Sequence, residues 1–366
     1  MATWPAGLAA AKGVVVAGVS WWNRKAVAGI IREIDPDPRM APDIASGIDL
    51  ARREGLLLLA WSSKLTADLE RDAASAGVRV VRIEDGFLRS VGLGAGLVRG
   101  ASYAIDTRGI YYDATRPSDL EHMLEHAHVS DAEAQRGARL AELISVNNLS
   151  KYNLAASPVR LPATPGRERI LVPGQVAADS AVVMTISDTL DLRATNINLE
   201  LLRTVRARHP KAFIVYKPHP DVAKGLRAGR IDADDTRRFA DMDAHGADIL
   251  DLIAQCDRVE TLSSLSGFEA LLRGKAVTVH GAPFYAGWGL TEDLTAIARR
   301  SRRRSVPELV YLSLARYCRH VDPQSLAPVS CEHLIARLAD LKGQSRHHVT
   351  AEARTLVSRL GRKLGF

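Results

Sequence analysis

The sequence has 366 residues, 46% of them hydrophobic and 25% charged, with a formal net charge of +7. This length holds two domains of ordinary size, and the balance is that of a globular protein, which excludes a disordered or fibrous chain. The basic excess points to a polyanionic partner, an anionic substrate or an anionic membrane surface, while 5% aromatic residues, with no aromatic-rich basic stretch, argue against single-stranded nucleic acid, and no nucleic-acid partner is expected.

Residues 13–18 (Gly-Val-Val-Val-Ala-Gly) predict a buried parallel-type strand. It runs into Ser20-Trp21-Trp22-Asn23-Arg24-Lys25 and then a helix. This is the first β-α step of a nucleotide-binding-like fold, without the spacing of the G-x-G-x-x-G fingerprint. Residues 56–61 predict a second strand, 66–76 a helix and 78–83 a third strand. That strand empties into Glu84-Asp85-Gly86-Phe87-Leu88-Arg89-Ser90 and a glycine-rich loop with Gly92, Gly94 and Gly96. Carboxylates at a strand's carboxyl end sit where open α/β sheets place their ligands, although Asp-Gly is also a common turn. Residues 103–106 and 109–112 read as a hairpin or two short strands, and 118–127 and 130–146 as helices.

Around residues 147–167 the pattern changes. Ser150-Lys151-Tyr152-Asn153 is followed by Pro158, Pro162, Pro165 and Gly166, which reads as a linker. A second β-α series follows, with strands over 169–172, 212–215, 258–262 and 276–280 and helices over 198–208, 249–255 and 267–273. The expected organisation is a Rossmann-like domain over 1–150, a linker over 151–167, a second Rossmann-like domain over 168–345 and a basic amphipathic tail over 346–366. Two α/β halves facing a cleft is the architecture of the GT-B glycosyltransferases.

The chemistry clusters at the predicted strand ends. After residues 212–215 come Lys217-Pro218-His219-Pro220, and two prolines force the chain out of the sheet. A lysine and a histidine pinned there suit an anionic ligand such as a phosphate. Gln175 and Asp179 follow another strand, and Asp179 either attacks carbon or caps the next helix. Ser263 and Ser264 precede a helix whose N-terminus suits phosphate; with Ser266 as N-cap, Glu269 would complete a capping box. His209-Pro210 reads as a helix stop. Tyr285 and Trp288, in a glycine-flanked turn, either line the cleft or sit in the core. Arg299, Arg300, Arg302, Arg303 and Arg304 form a basic run, an ordinary solvated face or a surface for anionic lipid.

No metal-ligand spacing is present. The odd set Cys256, Cys318 and Cys331 predicts reduced thiols in a cytoplasmic protein. The start lacks the features of a signal peptide, and the run over 56–61 is too short to cross a bilayer, so membrane association is expected to be peripheral.

Glu84-Asp85-Gly86, His219-Pro220 and Ser263-Ser264, in this order, resemble the motifs of bacterial sialyltransferases and related users of CMP-sugars. The longer runs E-D-G-F-L-R-S-V-G-L-G from Glu84, L-V-P-G-Q-V-x-x-D from Leu171, V-Y-K-P-H-P-D-V from Val215, G-F-E-A-L from Gly267 and F-Y-A-G-W-G-L-T-E-D from Phe284 resemble the capsule polysaccharide β-Kdo transferases. Members usually carry two modules in tandem, and this sequence shows one.

The resemblance implies a retaining transfer of Kdo from CMP-Kdo to a lipid-linked acceptor of the lysophosphatidylglycerol-Kdo type. It implies peripheral attachment at the inner membrane among other capsule assembly proteins, with no tightly bound cofactor or metal. It makes Asp179 the nucleophile and Glu84 the acid/base, with Asp85 beside it. Lys217, His219, Ser263, Ser264, Glu269, Gln175 and Lys151 become donor-binding residues, and Arg89, Tyr285 and Trp288 acceptor-contacting or cleft-lining ones. The alternatives are a transferase for CMP-sialic acid or CMP-glycerol, and a non-catalytic assembly or export subunit.

Overall fold

The computed structural model describes residues 4, 8, 10–92, 98–154 and 158–344. Gly94, Gly96 and the tail expected over 346–366 lie outside the described residues. The first half begins with β1 (Val14–Ala17), β2 (Arg39–Met40), β3 (Leu57–Trp61), β4 (Val80–Asp85) and β5 (Ser102–Asp106). The second holds β6 (Arg169–Pro173), β7 (Phe213–Lys217), β8 (Met242–Asp243), β9 (Arg258–Thr261), β10 (Ala276–Val279) and β11 (Glu292–Asp293). The chain then adds β12 (Cys318–Val321) and β13 (Pro328–Val329).

Two sheets result, with strand orders β13-β12-β5-β4-β3-β1-β2 and β11-β10-β9-β6-β7-β8. The second is parallel throughout, with Leu171 opposite both Val215 and Val259. β1 and β3 pair in parallel from Val14↔Leu57 to Ala17↔Ala60. These strands are apolar runs buried on both faces, the pattern of a sheet covered by helices.

Three expectations are corrected. The first sheet is mixed, because β5 runs antiparallel to β4, with Glu84 opposite Ala104. Residues 109–112 are a turn and not a strand: the Asp106 carboxylate accepts the N–H groups of Arg108 and Gly109 and bends the chain out of β5. The half expected over 168–345 does not stay in one sheet, because β12 pairs with β5 in the first.

This return is held by packing. The helix Asp131–Val146 and the helix Val306–Val310 meet so closely that a Cβ at Gly137 would lie 2.0 Å from the Pro307 carbonyl oxygen. Only glycine fits there. An aromatic group closes the seam between the halves, with Phe87 4.4 Å from Phe284 and 4.7 Å from Tyr111, centroid to centroid. No helix among the described residues is long and apolar enough to cross a membrane.

Candidate active site

The site forms where the carboxyl edges of the two sheets meet. At the end of β4, Glu84 is buried and its carboxylate accepts the backbone N–H of Ser63 at 3.0 Å and of Asp85 at 3.1 Å. Burial first, and then the charge of Asp85, push the Glu84 carboxyl up to about 7. Gly86 allows the chain to turn away at once, since a Cβ there would stand 2.3 Å from Ser102 Oγ. Asp85 takes a 2.7 Å ion pair from Arg89 Nε and, through its carbonyl, a 3.0 Å hydrogen bond from Tyr111 Oη.

The second edge supplies a different set. Asp179 is an exposed N-cap of the short helix Ser180–Val183, accepting the Ala181 N–H at 2.9 Å. His219 caps the helix Pro220–Ala223, and its Nδ1 accepts the Asp221 N–H at 3.1 Å. A neutral imidazole bound this way carries its proton on Nε2, which is left as a donor. Burial lowers the His219 pKa, with Asp221 and Asp179 acting the other way. Lys217 is buried at the end of β7, and burial lowers its pKa against the pull of Asp248 and Glu269.

Lys151 joins the edges. Its carbonyl accepts the N–H groups of Arg89 and Ser90, and its own N–H donates to Glu269 at 2.9 Å. Burial opposes its ammonium charge, but Tyr111, Tyr152 and the carboxylates of Asp85 and Asp179 outweigh this and raise its pKa. His219 feels both Asp179 and Lys151. Glu84, Asp85, Lys151, Asp179 and His219 are thus brought to one place by the meeting of the two sheets.

Other expected residues are placed differently. Gln175 is a latch: its Nε2 donates to Ser263 Oγ at 3.0 Å, and its Oε1 accepts the Ser263 N–H. Ser264, not Ser266, is the N-cap of the helix Leu265–Leu271, so the capping box with Glu269 does not form. Glu269 is buried and braces Lys151. Arg89 is 2% exposed and holds Asp85, so it is no acceptor contact. Tyr285 and Trp288 are core residues: the Tyr285 hydroxyl donates to the Ser264 carbonyl, and Trp288 Nε1 to the Phe284 carbonyl.

The basic run is divided: Arg300 and Arg304 are buried, Arg299 is half-buried, and Arg302 and Arg303 are exposed. Arg299 and Arg300 both pair with Glu121, and Arg304 donates to the carbonyls of Met123, Leu124 and Ala127 at the end of the helix Asp119–His126. That removes Arg300 and Arg304 from any lipid-facing stripe and leaves Arg302 and Arg303 at the surface. His209, read as a helix stop, is the C-cap of the helix Ile197–Arg208, and its Nε2 also bonds Glu260 at 2.8 Å.

Sequence reasoning missed Tyr111 and Tyr112. Tyr111, its pKa pushed up by burial, lies in the field of Lys151, Glu84, Asp85 and Asp179. Tyr112 packs edge-on to it at 5.2 Å. Two aromatic residues just before Asp113 were the available signal, hidden by their strand-like composition. Among the described residues no group of three or more potential ligands gathers as a metal site.

With this geometry in place, the family model described as "Capsule polysaccharide biosynthesis protein" matches residues 57–159 and 151–321. The chain belongs to the capsule polysaccharide biosynthesis family. Within that family's range, the capsule polysaccharide modification protein LipA of Neisseria meningitidis is 39% identical over 348 residues, which are 94% of this chain and 48% of LipA. The lipopolysaccharide-processing protein LpsZ of Rhizobium meliloti is 40% identical over 252 residues, 67% of this chain and 56% of LpsZ. The chain therefore spans about half the length of these curated relatives.

Two solved structures from Thermosulfurimonas dismutans KpsC share the fold. The one described as a beta Kdo 2,7 transferase has a TM-score of 0.73 and 34% identity, covering 90% of this chain and all of its own. The one described as a beta Kdo 2,4 transferase has a TM-score of 0.73 and 33% identity over 88% of this chain. The architecture is thus the α/β, GT-B-like pairing of two Rossmann-like sheets that KpsC has.

Proposed function

We propose that this member of the capsule family is a retaining β-Kdo glycosyltransferase. It would take Kdo from CMP-Kdo and place it on a lipid-linked acceptor of the lysophosphatidylglycerol-Kdo type, working at the cytoplasmic face of the inner membrane. The observation that carries this reading is the meeting of Glu84 and Asp85 with Asp179 and His219 around Lys151.

The chemistry follows from the environments. The exposed Asp179 carboxylate attacks the anomeric carbon, and the bond from that carbon to the phosphate oxygen breaks. The electron pair leaves with CMP. His219 Nε2–H and the Lys217 ammonium meet the phosphate charge, and an anion there favours the charged lysine that burial opposes. Ser263, held by Gln175, and Ser264 follow the end of β9 and would contact the same phosphate. In the second step Glu84 takes the proton of the acceptor hydroxyl, whose oxygen attacks the same carbon and releases Asp179. Two displacements restore the starting configuration. A carboxyl near pH 7 is suited to this proton transfer, since the best general base titrates near the working pH.

Intact-protein mass spectrometry after incubation with CMP-Kdo tests the reading. A gain of one Kdo unit in the wild type, absent in Asp179→Ala, is the expected result. No adduct, with no CMP release in the presence of a Kdo-terminated acceptor, would overturn it.

A further inference from the structure

The stretch Ser20-Trp21-Trp22-Asn23-Arg24-Lys25 plays no part in the chemistry above. It opens the helix Trp21–Ile31, which leaves the sheet at the carboxyl end of β1, the same sheet edge that carries Glu84. Trp21 is 70% exposed, although indole is the largest apolar group a protein can show to water. Trp22 stands edge-on to it at 5.7 Å, with its backbone carbonyl held by Arg99 Nε. The Trp22 Nε1–H is buried and has no hydrogen-bond partner. Such a donor costs about 1–3 kcal/mol unless a ligand or a water completes it.

A second orphan lies on the same sheet edge. Asp85 Oδ1 is also buried without a partner. Asn23 Oδ1 accepts the Gly100 N–H at 3.0 Å, and Gly100 packs against Asp85, where a Cβ would lie 2.9 Å from Oδ1. One orphan is a donor and the other an acceptor. A sugar hydroxyl is both.

The helix continues the pattern. Arg24, Lys25, Ala28 and Arg32 follow Trp21 at three, four, seven and eleven residues, which puts them on one face. With Gly29, Glu33, Met40 and residues 325–328 they line a groove of about 660 Å³, in which Glu33 is the one carboxylate. None of Arg24, Lys25 and Arg32 forms an ion pair among the described residues. A stacking surface, two unsatisfied polar atoms and three cations against the single carboxylate of Glu33 fit an anionic saccharide better than any apolar partner.

We propose that Trp21 and Trp22 form the acceptor-side sugar subsite. The indole face of Trp21 stacks on a sugar ring, the Trp22 N–H and Asp85 Oδ1 bond its hydroxyls, and the charged helix face receives the next anionic residues. This rests on the transferase reading for the identity of the acceptor.

The test is direct binding, which needs no turnover. The full chain is titrated by calorimetry with a soluble oligosaccharide ending in a Kdo residue and, separately, with its carboxylate methyl esters. The wild type should bind the acid form and bind the esters at least tenfold more weakly. Trp21→Ala should weaken the acid form at least tenfold, Trp21→Tyr should recover most of it, and Trp22→Phe, which keeps the ring and removes the N–H, should weaken it severalfold. Thermal melts of each variant identify loss of fold. Trp21→Ala binding within twofold of wild type would overturn the proposal. So would normal saccharide binding together with lost retention on phosphatidylglycerol vesicles, which would make Trp21 a lipid anchor. Donor-only adduct formation, measured separately, reports on the transferase reading, so failure of one is distinguishable from failure of the other.

Discussion

The two sheet edges present carboxylates of opposite character. Glu84, at the end of β4, is buried, bonded to two backbone N–H groups and pushed up to about 7. Asp179, beyond β6, is exposed and bonded to one. Both sit at the carboxyl ends of parallel strands, so position alone does not separate them. Environment does: withdrawal from water tunes a group for protons, while exposure leaves an oxygen able to reach carbon. The two edges should therefore fail in different ways.

The largest effect is expected at the exposed edge. Asp179→Asn keeps a side chain able to cap the helix and removes the charge, so the fold stays and the proposed nucleophile goes. Transfer should fall by about 10³-fold or more with no Kdo adduct by mass spectrometry. Glu84→Gln should cost about 10²–10³-fold in transfer. The adduct should accumulate in this variant, because attack by Asp179 does not need Glu84. Equal loss of adduct in both variants would break the division of labour between the edges.

The pH dependence sharpens it further. In the proposed mechanism Glu84 acts as a carboxylate, so transfer by the wild type should rise with pH through about 7, and Glu84→Gln should lose that limb. Stability moves the other way. The folded-state pKa is raised from 4.5 to about 7, so the folded protein holds more protons than the unfolded chain between those values. Stability is therefore lost as pH rises through that window, by an amount up to about 3 kcal/mol. Glu84→Gln should flatten this decline in denaturant titrations at pH 5 and pH 8. His219→Ala should act on the donor side alone, slowing CMP release by about 10- to 100-fold while acceptor KM stays near its wild-type value.

What the sequence revealed follows from how local each signal is. Buried parallel strands such as β1, β3 and β7 are short apolar runs, and composition alone exposes them. The positions of Glu84 and Lys217 at strand ends, and of Asp179 and His219 just beyond them, were legible from the apolar runs that precede them, while the roles proposed for them came from the resemblance. The return of β12 to the first sheet was hidden, since Cys318-Arg319-His320-Val321 interrupts its apolar pattern with two buried polar residues. Residues 109–112 misled through aromatic content, and only the Asp106 carboxylate makes them a turn. Trp288 and the arginine run were ambiguous for a common reason: their partners lie far along the chain or deep in the core, and spacing carries no trace of either.

Arg300 gives the smallest effect on chemistry and a clear one on the fold. Its Nε pairs with Glu121 at 2.8 Å, and its Nη1 donates to the carbonyls of Pro283 and Ala286, while its guanidinium lies over the Trp288 ring at 5.6 Å. It ties the helix Asp119–His126 of the first half to the loop after β10. Burial lowers its pKa, with Glu121 pulling the other way. Removing one member of a buried pair leaves the other charge stranded, so Arg300→Met should cost about 3–5 kcal/mol by denaturant titration, less whatever Arg299 recovers by pairing with Glu121 alone. Glu121→Gln combined with Arg300→Met should restore part of the loss, because the stranded charge is then gone. Binding to phosphatidylglycerol vesicles should not change in either variant. If it fell while stability held, the arginine run would face the lipid after all, and the distinction between a chemical edge and a structural seam would have to be redrawn.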